Sequence, residues 1–306
     1  MKILLLGKDG QLGWELQRSL APLGSLTALG RHSQTGLCGD LSDLSGLKTT
    51  LRQLKPDVIV NAAAYTAVDR AEGEHALATR INAEAPAILA EEAKALGALL
   101  VHYSTDYVFD GSGNTPKHEE DTPFPLNHYG VSKLAGERVI QATGCRYLIF
   151  RTSWVYAARG QNFLATMRKL IQQRPALKVV GDQVGAPTGA ELIADASTHA
   201  IHLATHNKQL EGLYHLAAKG ETSWHGYAVY IAEYLQELGV NIMAKPDAIQ
   251  AIPSSEWPTP AQRPLNSRLD TRKFEKAFGL LLPPWQAGVE RVLAEYHHFN
   301  NLCADR

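Results

Sequence analysis

The chain has 306 residues, with 30 Lys plus Arg against 31 Asp plus Glu and a net charge of −1. That length holds one large domain or two modest ones, and the charge balance excludes the electrostatic footprint of a nucleic-acid or anionic-membrane binder. No apolar run reaches the roughly 18 residues of a membrane span. The opening Met-Lys-Ile-Leu-Leu-Leu-Gly ends at Lys8-Asp9 without a small-residue cleavage site, so it reads as a buried strand and not a leader. Cys38, Cys145 and Cys303 lie far apart, with neither a Cys-x-x-Cys motif nor a His partner. Neither a disulfide framework nor a zinc site is therefore expected, and a reducing cytoplasm is the expected compartment.

Short apolar runs alternate with longer amphipathic stretches, the pattern of βαβ units. Lys2–Leu6 predicts a strand, Gln11–Leu23 a helix and Ser25–Leu29 a second strand. Asp43 reads as the N-cap of a helix over Leu44–Leu54, with Pro56 just beyond its end. Asp57–Asn61 predicts a third strand. Glu74–Leu96 reads as helical, interrupted at Pro86 by a kink or a new start. Ala98–Ser104 predicts a strand, Asn127–Ala142 a helix and Arg146–Arg151 a strand.

Beyond Tyr156 the texture shifts to more Gly, Pro and loop. Helices are expected over Asn162–Gln173, Glu191–Ala204, Trp224–Leu238 and Pro284–His298, and strands near Leu177–Val180 and Gly212–Leu216. Ile252–Ser267 carries Pro253, Pro258, Pro260 and Pro264, so it is expected as an ordered loop or lid. The expected fold class is α/β, a doubly wound parallel sheet (Rossmann-like) with a smaller C-terminal substrate-binding lobe. Residues 1–156 form mainly the nucleotide domain and 157–306 mainly the lobe, with segments exchanged between them.

Gly7-Lys-Asp-Gly10-Gln11-Leu12-Gly13 is a G-x-x-G-x-x-G array between the first strand and the first helix. There glycines let the backbone turn sharply and approach a pyrophosphate, while the helix N-terminus offers free N–H groups and partial positive charge. A dinucleotide site is the expectation. The second strand ends in Leu29-Gly30-Arg31-His32, without the carboxylate that would accept the ribose 2′-hydroxyl. Arg31 offers a planar cation suited to a 2′-phosphate, so NADPH is expected to serve at least as well as NADH. Asp40-Leu41 follows toward the adenine. Ala63, Ala64 and Tyr65, after Asn61, continue the cofactor wall.

Ser104-Thr105 closes an apolar run at what would be the carboxyl end of a strand, and Tyr129-Gly-Val-Ser-Lys133 opens the next helix. A phenol is a poor acid or base near pH 7 and needs a neighbouring cation to favour its ionised form. Lys133, one helical turn on, supplies that charge and is suited to hold nicotinamide ribose hydroxyls. Thr105 can donate to the carbonyl oxygen that receives the proton. The chemistry these residues fit is hydride delivery to a ketone with Tyr129 as proton donor.

These residues resemble the extended short-chain dehydrogenase/reductase superfamily over nearly the whole chain. The blocks His102–Gly111, Tyr129–Glu137, Phe150–Tyr156, Gly181–Thr188 and Arg263–Leu269 are similar to the dTDP-4-dehydrorhamnose reductase family. The resemblance implies reduction of the C4 keto group of dTDP-4-dehydro-L-rhamnose by NADPH or NADH, giving dTDP-L-rhamnose for cell-surface polysaccharide. It places the catalytic set on Thr105, Tyr129 and Lys133 and the cofactor loop on Gly7 to Gly13, with Tyr103 also on the cofactor side. Thr105, Asp106 and Trp154 fall on sugar-nucleotide positions. Arg263, Asn266 and Ser267 are suited to pyrophosphate or hydroxyl contacts, although residue type alone fits a structural part equally well. Gly30-Arg31 departs from the acidic residue that members of this family often carry. The resemblance further implies a Mg²⁺-bridged homodimer, its carboxylates matching Glu15, Glu191 and Glu295; on residue type alone these read as a solvated face.

Two rivals stand beside the reductase. A nucleotide-sugar 4,6-dehydratase would carry Thr-Asp-Glu where this chain has Thr105-Asp106-Tyr107, and a 4-epimerase would regenerate its cofactor in each cycle. A non-catalytic regulatory subunit of methionine adenosyltransferase shares the same family resemblance, so fold alone does not decide turnover. The twelve histidines fall into no metal-ligand spacing.

Overall fold

The computed structural model describes residues 1–32 and 36–304, with side chains through residue 298. Cys303 therefore has its side chain outside the described residues; Cys38 and Cys145 are free thiols. The strands are β1 (Lys2–Leu6), β2 (Ser25–Leu29), β3 (Val58–Asn61), β4 (Leu99–Thr105), β5 (Arg146–Thr152), β6 (Val155–Tyr156), β7 (Leu177–Val180), β8 (Val184–Gly185), β9 (Thr188–Gly189), β10 (Gly212–His215), β11 (Thr222–Ser223) and β12 (Ile249–Ile252). The α-helices are α1 (Gln11–Leu20), α2 (Leu44–Leu54), α3 (Val68–Ala71), α4 (His75–Thr79), α5 (Ala85–Leu96), α6 (His128–Thr143), α7 (Phe163–Gln173), α8 (Ala190–His206), α9 (Trp224–Glu237), α10 (Arg272–Phe278) and α11 (Trp285–Ala304).

Six strands form one sheet in the order β10-β5-β4-β3-β1-β2, each pair parallel. β3 and β4 are buried along their whole length, because helices cover both faces and leave no polar side for alternation. The period of two still sorts the layers. Ile3, Leu5, Val58, Val60, Leu99 and Val101 pack on α1, α8 and α10, while Leu4, Leu6, Ile59, Leu100 and Ile149 pack on α2, α5 and α6. A separate core gathers Tyr156, α7, β7, α9 and α11 around Tyr227, Ile231, Trp285 and Val289. The sixth strand, β10, comes from the C-terminal half of the chain.

The chain leaves β1 for β2 on one side and returns to β3 on the other. The crevice at this reversal of strand order lies over the carboxyl ends of β1 and β3, where open α/β sheets place ligands.

Most element bounds agree with the sequence to within a residue or two, and their caps explain why. Asp43, Asn127 and Asn162 each accept a backbone N–H at the third residue of their helix, at 2.9, 2.8 and 2.9 Å. Three differences stand out. The first helix stops at Leu20 and tightens into a 3₁₀ turn over Ala21–Leu23, which carries Pro22. The run from Glu74 is interrupted by a π-helical turn, Arg80–Glu84, that leads directly into α5 with Pro86 in its first turn; the dihedrals stay helical throughout, and the wider turn accommodates the N–H that proline lacks. Ile249–Ile252 is a strand that sequence reasoning missed: β12 pairs in parallel with β7 and stops at Pro253.

Candidate functional site

The glycine array occupies the crevice. Gly7 has φ +87, and a Cβ there would stand 2.7 Å from the Ala63 nitrogen; a Cβ on Gly13 would stand 2.0 Å from the Gly7 carbonyl oxygen. Backbone meets backbone at both points, so no larger residue fits without displacing β3 or α1. α1 starts with Gly10 in an extended conformation, with no side-chain cap and no acid in its first turn. Its first N–H groups are thus left for an anion. Gln11 accepts from Asn162 at 2.9 Å, which ties the 157–162 loop over this end of α1.

The remaining cofactor-side residues divide. Ala63 and Ala64 line the exit of β3, and Ala63 N–H donates to Asn61 at 3.3 Å. Tyr65 hydrogen-bonds Glu74 through its hydroxyl at 2.9 Å. Leu12 packs on one face of the sheet core and Leu41 is buried in the other. Asp40 accepts from the Ser42 backbone and hydroxyl at 2.9 and 2.8 Å, so its carboxylate shapes a turn. Tyr103 sends its ring into the core beside Phe150; what it offers the site is its carbonyl. Arg31 is exposed just past β2. A Cβ on the neighbouring Gly30 would come within 2.0 Å of Asp9 Oδ2, so an acid from the glycine loop sits at the end of the strand that lacks one of its own.

β4 and α6 bring Thr105, Tyr129 and Lys133 together. Burial pushes the Tyr129 phenol up to about 12, against the hydrogen bond from Thr105 that lowers it. Lys133 is 2% exposed. Its ammonium is brought down to about 8 by burial, with Glu137 pulling the other way. Nζ donates to the Tyr103 carbonyl at 2.6 Å and lies 3.3 Å from His102 Nε2. The next residue along the chain from Thr105, Asp106, is also buried, and burial lifts its carboxyl to about 7 although Ser267 and Thr105 hydrogen-bond it. The Tyr107 ring meets Tyr129 edge-on at 5.6 Å.

The residues expected on the sugar side come from other segments of the chain. Trp154 holds φ +49, a region an L residue adopts only when its surroundings enforce it. The enforcement is visible: its indole stacks on Trp224 at 3.6 Å and 11°, and a Cβ on Gly185 would come within 2.8 Å of it. Arg263 is held by Asp69 through two hydrogen bonds, at 3.1 and 2.9 Å. Asn266 is spent structurally, donating to the Thr115 carbonyl at 2.8 Å and accepting from Arg268 N–H at 3.2 Å. Ser267 reaches Asp106.

Several supporting residues escaped the sequence. Asn82, in the π-helical turn, accepts from Tyr65 N–H at 2.9 Å and donates to the Tyr65 carbonyl and Ser132 hydroxyl, both at 3.0 Å. Ser132 donates in turn to the Tyr129 carbonyl at 2.8 Å. Asn127 donates to the Gln262 carbonyl at 2.7 Å, pinning the proline-rich loop to α6. Behind β4 the Ser104 hydroxyl donates to Glu137, whose carboxylate takes two hydrogen bonds from Arg151 at 2.9 and 2.6 Å. Pro86 was the one available signal for the π turn; Asn127, Ser104, Ser132, Glu137 and Arg151 lie in segments the sequence does mark, but their partners do not show there.

Burial raises Glu191, and Glu15 and Glu295 both lie close enough to add to the rise. Glu15 and Glu295 are paired with Arg18 and Arg291 at 3.7 and 3.3 Å. Among the described residues no group of three or more His, Cys, Asp or Glu side chains is arranged to hold a metal ion. No helix among them is long and apolar enough to cross a membrane.

Residues 1–298 match the family model described as the RmlD substrate binding domain. The chain is 52% identical over 295 residues to the dTDP-4-dehydrorhamnose reductase of Shigella flexneri, covering 96% of this chain and 98% of that one. Among solved structures it is similar to a dTDP-4-dehydrorhamnose reductase of Clostridium acetobutylicum, with TM-score 0.85, 33% identity and coverage of 97% and 99%. It is also similar to that of Bacillus anthracis, solved in complex with NADP, with TM-score 0.84, 32% identity and coverage of 96% and 99%.

Proposed function

The chain belongs to the RmlD substrate-binding-domain family, and from that membership we propose that it is a dTDP-4-dehydrorhamnose reductase using NADPH, with NADH as the alternative donor. The observation that carries the reading is the meeting of Thr105, Tyr129 and Lys133 at the carboxyl end of β4, beside a glycine cradle whose Cβ positions are already filled by backbone. The glycines and the uncapped start of α1 fit a pyrophosphate. NADPH held there would supply the hydride for reducing the C4 keto group of dTDP-4-dehydro-L-rhamnose to dTDP-L-rhamnose.

The chain's own part is to orient and to move one proton. Thr105 and Tyr129 address the keto oxygen, and Tyr129 O–H gives its proton as the alkoxide forms. A phenol whose pKa is pushed up to about 12 by burial is a weak acid; the cation at Lys133, one helical turn away, favours its conjugate base. Trp154 presents an apolar ring to the deoxy sugar or base, and Asp106 with Ser267 offers hydrogen bonds to a hydroxyl. Arg263, held in place by Asp69, is suited to the pyrophosphate. We read residues 1–156 as mainly the cofactor domain and 157–306 as mainly the substrate lobe, with α8, β10 and α10 returned to the first.

Glu15, Glu191 and Glu295 of one chain are not arranged to hold a Mg²⁺ ion by themselves, and Arg18 and Arg291 stand beside two of them at 3.7 and 3.3 Å. No step is routed through a metal, and a homodimer rests on the family reading alone. The dehydratase reading loses support at Tyr107, which puts an aromatic edge where that chemistry needs a second acid. The test is NADPH oxidation with dTDP-4-dehydro-L-rhamnose by wild type and Tyr129→Phe. The variant should lose more than about a hundredfold in kcat, the usual worth of a general acid, and retention of most of the rate would remove the proton-donor role.

A further inference from the structure

Behind Lys133 lies a buried line of polar groups with no part in the chemistry so far: Asn61 at the end of β3 and His102 in the middle of β4, each 1% exposed. Asn61 Nδ2 lies 3.2 Å from His102 Nδ1, and His102 Nε2 lies 3.3 Å from Lys133 Nζ. Burial, and then the charge of Lys133, hold the imidazole well below its usual range, so the ring is neutral and carries one hydrogen.

Its place follows from the neighbours. Ala63 N–H donates to Asn61 Oδ1 at 3.3 Å, and an N–H can face only an oxygen, which fixes the amide with Nδ2 toward the imidazole. Nδ1 must then accept, and the ring hydrogen sits on Nε2, facing Lys133. An ammonium has no lone pair to receive it; a free amine has one. The alternative tautomer would set Nδ1–H against the Asn61 NH₂ unless the amide turned and gave up Ala63. We propose that His102, oriented by Asn61, is a positioning residue that disfavours the ammonium form of Lys133 and so sets the pH at which the lysine loses its charge. The proposal rests on the reductase reading for its consequence, not for its geometry.

The other groups around Lys133 do not supply this effect. On its own helix Tyr129 is uncharged and Glu137 favours the ammonium. Arg151, on β5, is tied to Glu137 by two hydrogen bonds. Asp106 lies beyond β4, close to Thr105 and Tyr129. The Tyr103 carbonyl accepts from either form of the lysine.

Three variants and one spectrum test it. Asn61→Asp accepts from Nδ1–H, moves the lone pair to Nε2 and adds negative charge; both changes favour the ammonium. His102→Leu removes the opposing N–H. In both, the basic limb of the pH profile of kcat/KM for NADPH should move up by roughly one pH unit or more. His102→Gln can keep the wild-type pattern, its carbonyl toward Asn61 and its N–H toward Lys133, and should hold the wild-type limb. Long-range ¹H–¹⁵N spectra of the imidazoles, with His102 assigned by its loss in His102→Gln, should place the hydrogen on Nε2 in wild type and on Nδ1 in Asn61→Asp. A wild-type ring protonated on Nδ1, or limbs that stay put in Asn61→Asp and His102→Leu, would overturn the proposal. Wild type that oxidises no NADPH with the keto sugar sinks the reductase reading instead, and the nitrogen assignment still decides this one.

Discussion

Arg263 of the proline-rich loop and Asp69 of α3 form a two-pronged ion pair, Nη1 to Oδ1 at 3.1 Å and Nη2 to Oδ2 at 2.9 Å. Asp69 also accepts from Ala261 N–H at 3.3 Å, so one carboxylate holds both the loop's backbone and its arginine. Both side chains are partly exposed, which limits the pair to about 0.5–1 kcal/mol. Asp69→Asn should therefore raise the KM for the nucleotide sugar by roughly two- to fivefold, leaving the Kd for NADPH unchanged. An unaltered KM would mean that Asn127, through the Gln262 carbonyl, holds the loop by itself.

Two opposite charges, Arg31 and Asp9 against Gly30, stand at the end of β2, and we propose that cofactor choice turns on them, the arginine favouring a 2′-phosphate and the carboxylate a free ribose hydroxyl. Sequence showed the arginine and the missing strand carboxylate, but not that the glycine loop folds an acid back to the same place. Arg31→Ala should lower the NADPH-over-NADH ratio of kcat/KM by about tenfold, or about 1.4 kcal/mol, and Asp9→Asn should raise it. Equal ratios in all three proteins would show that neither side chain reaches the ribose.

What could be read from the chain, and what could not, follows from the range of the interactions. The glycine array, the Asn127 cap and the Tyr129/Lys133 spacing are local, fixed within a few residues by backbone geometry, and they survive in the sequence as patterns. Asn82 to Tyr65, Asn61 to His102 and Arg263 to Asp69 join residues 17, 41 and 194 positions apart. Their partners are chosen by strand order and helix packing, which no single segment records. β12 escaped for the same reason: four residues become a strand only because β7 lies alongside.

The π-helical turn places Asn82 where it can fasten two segments at once. Its amide bridges Tyr65, just after β3, to Ser132 on α6, and α6 sits close enough that a Cβ on Gly136 would come within 2.1 Å of the Asn82 carbonyl oxygen. Asn82→Ala strands the Tyr65 N–H and carbonyl in a buried site, at roughly 2–4 kcal/mol in all. A fall in Tm of roughly 3–6 °C is expected, with a loss of kcat, since Ser132 also fixes the Tyr129 backbone. A variant as stable as wild type would assign the turn no part in holding the site.

Asp106 gives the protein a pH dependence of known sign. Its ordinary carboxyl value is 3.8, and burial lifts it to about 7 in the folded chain. The folded state therefore holds this proton more tightly than the unfolded one. That contribution is complete below 3.8 and is lost as pH rises through 7, where an ionised carboxylate must be kept in a dry site. A carboxamide in its place cannot ionise, so the Asp106→Asn protein should gain stability over wild type as pH rises from 5 to 8, at up to about 1.4 kcal/mol per pH unit until the folded value is passed. Lys133, whose folded value is about 8 against 10.5 unfolded, adds an opposite slope only as pH nears 8, and it does so in both proteins, so it drops out of their difference. Thermal unfolding of the cofactor-free proteins at pH 5, 6, 7 and 8 measures the difference directly. A Tm difference that stays flat across the series would show that Asp106 is ionised throughout and that Ser267 and Thr105 outweigh burial.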